Sequence, residues 1–428
     1  MTLYLWIIFI GIFLLTAFPL LSAKKRSTWN IIQTIIVMFS IIIAIVAIEI
    51  FYTPPIMPIV FIIIVTILAD KSTYTKTGLI ITGMAVLILS ALAYYLFHDD
   101  PDYVQTYIDK NPDLASMHLS VDGENLISKQ GEVKRPLASV VKTIIAIEFA
   151  NQVVEGKIDP DEQIPLVELE KFYLANTDGG AHPNWLKEMK EGGPIKNDAV
   201  SLQEIAKGMI MFSSNANTDF LLDKLGPESI NHVIESLGLE NHDPVYPLVS
   251  SLLVPTYLNA IEDKKWSTSQ LIERLQSLSL EDYRELSWEI HHLLKHRKAD
   301  FFNGSVSIPM DLQKIWSDRL SNATVEDYGK VMSAISNDTA TLPGGEDILR
   351  NIMEWPMKVN VSNQEIYAHL GMKGGSTAFV LNQALYVENL DGRKLELIIF
   401  TEGFSIIEQI KMEKNMNSFL KKVLTEHF

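Results

Sequence analysis

Cysteine is absent from the chain, which excludes disulfides, thiolate metal sites and cysteine nucleophiles. Charge is scarce at one end. Residues 3–97 hold five basic side chains (Lys24, Lys25, Arg26, Lys71, Lys76) and two acidic ones (Glu49, Asp70), a net of +3. The whole chain of 428 residues carries -16, which leaves -19 for the rest, so two chemically different halves meet near His98. The acidic half lacks the basic surface that a nucleic-acid partner would require. Its charge reads as a solubility feature. No His-Glu-x-x-His motif occurs in the loops between the apolar segments of the first half, so no catalysis is expected there.

What the first half does contain is apolar sequence, in runs at 3–21, 31–51, 56–69 and 78–97. A bilayer takes roughly 20 such residues, and three of the runs are long enough. The third is shorter, with Pro54, Pro55 and Pro58 at its entrance. Basic residues follow the first and third runs, whereas the other two loops carry none, so the positive-inside rule is satisfied by four crossings. That topology puts everything after residue 97 outside the cytoplasm. Met1 and Thr2 form an uncharged leader and the basic residues come after the first run, the reverse of a cleavable signal peptide. Glu49, near the predicted outer end of its run, reads as an interfacial carboxylate. The expectation is a four-helix transmembrane anchor over 1–97, with the lipid bilayer as partner, in a multi-pass cell-membrane protein.

An acidic connector over 98–113 leads into the second half. Segments 116–121 and 126–130 flank a turn at Asp122, Gly123, Glu124 and Asn125 and read as a hairpin. An apolar helix follows from Ala138 and ends at Gly156 and Pro160. The polar, Gly-rich stretch 176–198 reads as a surface loop. Ser201 and Glu204 form a capping box opening a further helix, which runs into Ser213, Ser214 and Asn215. Segment 255–320 is helix-like with charged faces and is expected to be an insertion. Within it Glu289, His292 and His296 share helical spacing, read as a solvated face rather than a metal site. A helix over 324–336, strands over 378–388 and 394–401 and a closing helix over 406–424 complete the chain. Strands at both ends with helices between predict an α+β domain with an antiparallel sheet over 114–428.

Ser139 and Lys142 stand three residues apart at the start of an apolar helix, a spacing that brings a hydroxyl and an amine onto one face. A serine beside a deprotonatable lysine is an activated nucleophile. The pattern alone is weak: it is expected about once or twice by chance in a chain this long, and Ser22 with Lys25 and Ser418 with Lys421 also fit it. Only the Ser139 pair is followed, in order and in the extracytoplasmic half, by Ser213-Ser214-Asn215 and Lys373-Gly374-Gly375. Together the three patterns resemble S-x-x-K, S-D-N and K-T-G of the penicillin-recognising serine hydrolases, and among them the class A β-lactamases.

The resemblance implies a serine β-lactamase or DD-peptidase-like fold and roles for named residues. Ser139 would attack a carbonyl carbon and Lys142 would take its proton, provided burial and Lys373 depress its pKa. Ser213 would relay a proton to the leaving nitrogen. Asn215 would bind the substrate amide, Lys373 would supply positive potential for a substrate carboxylate, and Gly375 and Ser376 would complete the substrate site. The oxyanion donors would be the N–H of Ser139 at a helix N-terminus and that of Ser376. No cofactor or metal is implied, and the sequence leaves the oligomeric state open.

Two positions depart from the pattern. The K-T-G threonine is Gly374 here, removing one hydroxyl for a substrate carboxylate, for which Ser376 or Thr377 could substitute. The E-x-x-L-N loop that supplies a deacylating glutamate corresponds to 238–259, where Leu258 and Asn259 are present but Pro255 stands in place of the acid. Glu240 and Asp243 are nearby in a different context. The expectation is therefore a membrane-anchored serine hydrolase that forms an acyl-enzyme with a β-lactam or related amide. The alternatives are a D-alanyl-D-alanine peptidase acting on cell-wall peptides and, with less weight, a non-enzymatic β-lactam sensor.

Overall fold

The computed structural model describes residues 28–49, 56–70, scattered positions from 75 to 95, and 98–428 apart from 176, 263–265 and 298–307. The chain divides into two compact units, Met1–His98 and Asp99–Phe428.

In the first unit α1 (Thr28–Glu49) and α2 (Ile56–Ala69) pack together. Val37, Ala44 and Ile62 are buried, whereas Ile35, Phe39 and Ile42 stay exposed. The Ser40 and Thr66 hydroxyls donate back to the carbonyls of Ile36 and Ile62 at 2.9 and 2.7 Å, which satisfies them within their own helices. The side chains of α1 are described without a break only over 31–45. Among the described residues no helix is long and apolar enough to cross a membrane. The apolar run 3–21, most of the run 78–97 and the side chain of Glu49 lie outside the described residues.

The second unit opens with α3 (Tyr103–Lys110), inside the stretch read from sequence as a connector; Val104, Tyr107 and Ile108 are buried. Next come β1 (Ala115–Val121) and β2 (Glu124–Lys129), the expected hairpin. The short β3 (Arg135–Pro136) precedes a 3-10 turn at Ala138–Val141 and α4 (Lys142–Val154). A two-stranded ribbon of β4 (Gln163–Pro165) and β5 (Ala199–Ser201) brackets α5 (Ala181–Glu191). That helix corrects the reading of 176–198 as a loop: Trp185 and Met189, one turn apart, bury its single apolar stripe, and its other faces are polar.

The helices α6 (Leu202–Met211), α7 (Asn215–Leu225) and α8 (Pro227–Ser236) follow. Ser201 caps α6 by accepting the Glu204 N–H at 3.4 Å, but the Glu204 carboxylate binds Lys207 rather than closing a reciprocal box. The chain then leaves the body in an excursion over 244–321 that is wider than the 255–320 expected. It holds α9 (Leu248–Leu252), α10 (Val254–Ile261), α11 (Thr268–Ser277), α12 (Leu280–Lys295) and α13 (Met310–Asp318). Its neck is tied where Asp243 N–H donates to Asn322 O at 2.8 Å and Ser321 Oγ donates to Pro244 O at 2.8 Å. The return strand β6 (Asn322–Ala323) pairs with β3, immediately before the Ser139 turn.

The chain finishes with α14 (Val325–Ser336), α15 (Glu346–Met353), β7 (Tyr367–Ser376), β8 (Leu381–Asn389), β9 (Lys394–Thr401) and α16 (Ile406–His427). β8 starts later than the expected residue 378, because Thr377 N–H donates to Val380 O in a turn. The five-stranded antiparallel sheet runs β2-β1-β9-β8-β7, with β7 at an edge. Side chains alternate between its faces. Met117, Leu385, Val387 and Leu397 join the core with α3 and α16, whereas Ala384, Tyr386, Ile398 and Phe400 join the larger core with the central helices.

Candidate active site

The nucleophile candidate sits where three backbone segments converge. Leu137 N–H donates to Ser321 O at 2.9 Å, and Asn382 of β8 bonds Pro136 O through its amide at 2.6 Å while its Oδ1 accepts Thr401 N–H at 2.8 Å. Arg135, fully buried, braces the same loop: it donates to Ser116 Oγ at 2.8 Å, to the Asp113 and Pro112 carbonyls at 2.9 Å, and to the Glu402 carboxylate. Ala138 adopts a φ of 46°, a region few non-glycine residues occupy, as the chain turns into Ser139. Against this turn lies Gly375. A Cβ there would stand 2.6 Å from Leu137 O and 2.9 Å from the Ser139 and Val140 nitrogens, so only glycine lets β7 approach.

Lys142, the first residue of α4, has no exposed surface. Its amine lies 2.7 Å from Ser213 O, 2.8 Å from Asn215 Oδ1 and 3.2 Å from Ser213 Oγ. The first two are acceptors only, so a neutral amine uses its two hydrogens there and keeps its lone pair for the hydroxyl. Lys373 of β7 approaches from the other side, 3.1 Å from Ser213 Oγ, and donates to Gly374 O at 2.7 Å. Ser213 is positioned between both amines by an unusual backbone, φ 66°. Its neighbour Ser214 caps α7 by accepting Asn217 N–H at 3.2 Å and contacts His182 Nδ1 at 2.9 Å.

Burial, and then the charge of Lys373, hold the Lys142 ammonium well below the usual lysine range, with Asp219 and Asp178 pulling the other way. Burial alone pushes Lys373 down to about 7. Each of these adjacent buried charges raises the cost of the other, so loss of one proton relieves the charge that remains. Burial and mutual repulsion thus disfavour the doubly charged pair relative to one free amine beside one cation.

A cavity of about 420 Å³ opens on this cluster, lined by Ser139, Ser213, Asn215 and Ser376 among others. Ser139 Oγ makes no hydrogen bond to any described residue and faces this space; it is not among the partners of the Lys142 amine, although the sequence spacing put the two within reach. The geometry therefore brings Ser139, Ser213, Asn215 and Ser376 to one cavity and Lys142, Lys373 and Gly375 to its supporting layer. Glu289 instead bonds Tyr257, and His292 stacks edge-on against His296 at 4.4 Å between ring centroids. No cluster of three metal-ligating residues occurs among the described residues.

Several lining residues were not singled out from sequence: Asp178, Leu248, Gln313, Trp316 and Gln409. Only the Gly179-Gly180 turn beside Asp178 gave a local signal. Leu248 is the part of the 238–259 stretch that reaches the cavity. Asp243 is spent on Lys134, Arg284 and the neck, and Glu240 is exposed elsewhere. Asn259 accepts Trp266 N–H at 3.2 Å, and Pro255 is buried in α10.

An antiparallel sheet flanked by helices, with a serine turn, two buried lysines and an intervening serine at its edge, defines a β-lactamase-like serine hydrolase domain. The chain belongs to the beta-lactamase enzyme family, whose profile matches residues 102–423. Solved structures similar to it include a β-lactamase from Sphaerobacter thermophilus DSM 20745, at 16% identity over 76% of this chain and 98% of that one, with a TM-score of 0.44. A β-lactamase from Chitinophaga pinensis DSM 2588 gives 15% identity over 74% and 98%, with a TM-score of 0.44. PBP-A gives 16% identity over 77% and 96%, with a TM-score of 0.42. None of the curated proteins matches the chain.

Proposed function

We propose that this protein is a membrane-anchored, extracytoplasmic serine hydrolase in which Ser139 forms an acyl-enzyme with a β-lactam or a related amide. The observation that carries the reading is Ser213 Oγ held at 3.2 Å from the Lys142 amine and 3.1 Å from that of Lys373, in the cavity that Ser139 faces. Ser139 Oγ attacks the carbonyl carbon as its proton passes to the Lys142 amine. The tetrahedral intermediate, its oxyanion held by the Ser139 and Ser376 N–H groups, collapses with cleavage of the C–N bond. The Ser213 hydroxyl gives its proton to the departing nitrogen and is reprotonated from Lys142, so the relay ends as it began. Asn215, with its Oδ1 committed to Lys142, offers its amide N–H to the acyl part of the substrate.

A second reading, transfer or slow peptide-bond chemistry of the D-alanyl-D-alanine peptidase kind, is favoured by Leu248. It is the described residue of the 238–259 stretch that lines the cavity, its side chain is apolar, and an ester with no positioned base hydrolyses slowly. Incubating the protein with a chromogenic cephalosporin, while following product and protein mass, separates the two. Steady turnover supports hydrolysis and a persistent adduct at Ser139 supports the second reading. No adduct and no turnover, or turnover surviving Ser139→Ala, overturns the nucleophile.

Membrane anchorage by 1–97 is supported by the apolar runs, the loop charges and the exposed Ile35, Phe39, Ile42 and Leu68 on α1 and α2. Protease added to intact cells should remove the second unit; its protection would refute the four-crossing topology.

A further inference from the structure

We propose that the amide taken by this site carries a protonated amine on its acyl portion, and that Asp178 is the residue that recognises it. The inference rests on the acyl-enzyme reading above and adds the class of substrate.

Among the described residues lining the Ser139 cavity, Asp178 contributes the single ionisable side chain; the remainder are hydroxyl, amide and apolar groups or glycine. Lys142 and Lys373 are buried and not part of the lining, so the one formal charge that the described residues present at the cavity surface is negative. The carboxylate is fixed in place. Gly180 N–H donates to its Oδ1 at 3.2 Å and His182 N–H to its Oδ2 at 2.9 Å, across a turn in which Gly179 and Gly180 take φ of 63° and 86°.

Each oxygen keeps acceptor capacity after those bonds. No lysine, arginine or histidine side chain pairs with Asp178 among the described residues. A half-buried, rigid and unpaired carboxylate is a receptor for a cation and repels an anion. Asp178 lines the same cavity as Asn215, the side chain assigned to the acyl amide, and this shared wall is the ground for placing the amine on the acyl portion. A cavity of about 420 Å³ holds the scissile carbonyl and such an amine together.

Three penicillins that differ only at the side-chain α-carbon test this: benzylpenicillin (uncharged), ampicillin (ammonium) and carbenicillin (carboxylate). The second-order rate of adduct formation at Ser139 is measured by protein mass on the full-length protein in detergent, at about pH 6 so that the α-amine is protonated. The ammonium compound is expected to react about tenfold faster than the carboxylate compound, with the uncharged one between. Asp178→Asn should bring that ratio close to one, and Asp178→Glu should retain the order. Raising salt from roughly 50 mM to about 1 M should shrink the difference in the wild-type protein, a readout independent of any variant's folding. Equal or reversed wild-type rates, or an order surviving in folded Asp178→Asn, overturn this inference alone. The absence of both adduct and turnover with all three compounds overturns the acyl-enzyme reading and this inference with it.

Discussion

A Cβ built on Gly375 would lie 2.9 Å from the backbone nitrogen of Ser139, so the edge strand and the nucleophile turn meet backbone to backbone. Neither side of that contact is the free end of a side chain. Gly375→Ala must displace the turn or the strand. It is expected to destabilise the protein by about 1–3 kcal/mol, the usual range for overpacking. Acylation should fall by about 100-fold from misplacement of the reacting atoms. Thermal melts and adduct kinetics measure the two effects separately.

Lys142→Met removes the proposed base. Acylation should fall by about 10²–10⁴-fold, the range for loss of general base catalysis. Burying a methionine carries no charge desolvation, so the melting temperature should fall by far less than activity does. A variant that acylates within a few-fold of wild type would exclude Lys142 as the proton acceptor.

Acylation by a carboxylate-bearing β-lactam should decline as pH passes about 7. Lys373 is an ammonium below that value and loses its charge above it, while rising pH only favours the free amine of Lys142, whose ammonium burial and the Lys373 charge hold well below the usual lysine range. Lys373→Arg keeps its charge at all ordinary pH values and should abolish the decline. The same depression costs stability below the normal lysine pKa, because the unfolded chain binds that proton more tightly. This contribution therefore improves as pH rises from about 7 toward the ordinary lysine value.

Leu248→Glu places a carboxylate in the wall of the Ser139 cavity. It should shorten the lifetime of the Ser139 ester by about tenfold or more if water reaches that position. Acylation itself should change less. Adduct decay followed by mass is the measurement, and an unchanged lifetime would show that Leu248 does not border the ester.

Arg135 is fully buried with four groups around its guanidinium. Removing one partner of a buried ionic network typically costs about 3–5 kcal/mol, so Arg135→Ala should destabilise by about that amount and loosen the nucleophile turn. Arg135→Lys cannot reproduce the fork and should recover only part of the loss in a denaturation experiment.

The site was legible in the sequence to the extent that its parts are local. Ser139-Val140-Val141-Lys142, Ser213-Ser214-Asn215 and Lys373-Gly374-Gly375 each occupy one turn or strand end, and their order along the chain sets one arrangement in the fold. The antiparallel sheet followed from the alternation and turn signals of β1, β2, β8 and β9. What the sequence withheld depends on residues distant in the chain. Leu248, Gln313, Trp316 and Gln409 come from α9, α13 and α16, and no pattern within those helices marks the face that meets the cavity. The helix over 181–191 was hidden because Trp185 and Met189 anchor it almost unaided in a polar, Gly-rich stretch.

The neck of the 244–321 excursion has a consequence for how the substrate range of such a protein can change. Leu248, Gln313, Trp316 and Leu320 all belong to this one stretch, whose two ends are hydrogen-bonded to each other beside β3. One side of the cavity is therefore encoded as a contiguous cassette. A single recombination event between Pro244 and Ser321 would exchange that side while leaving the Ser139 turn, α4 and β7 as inherited.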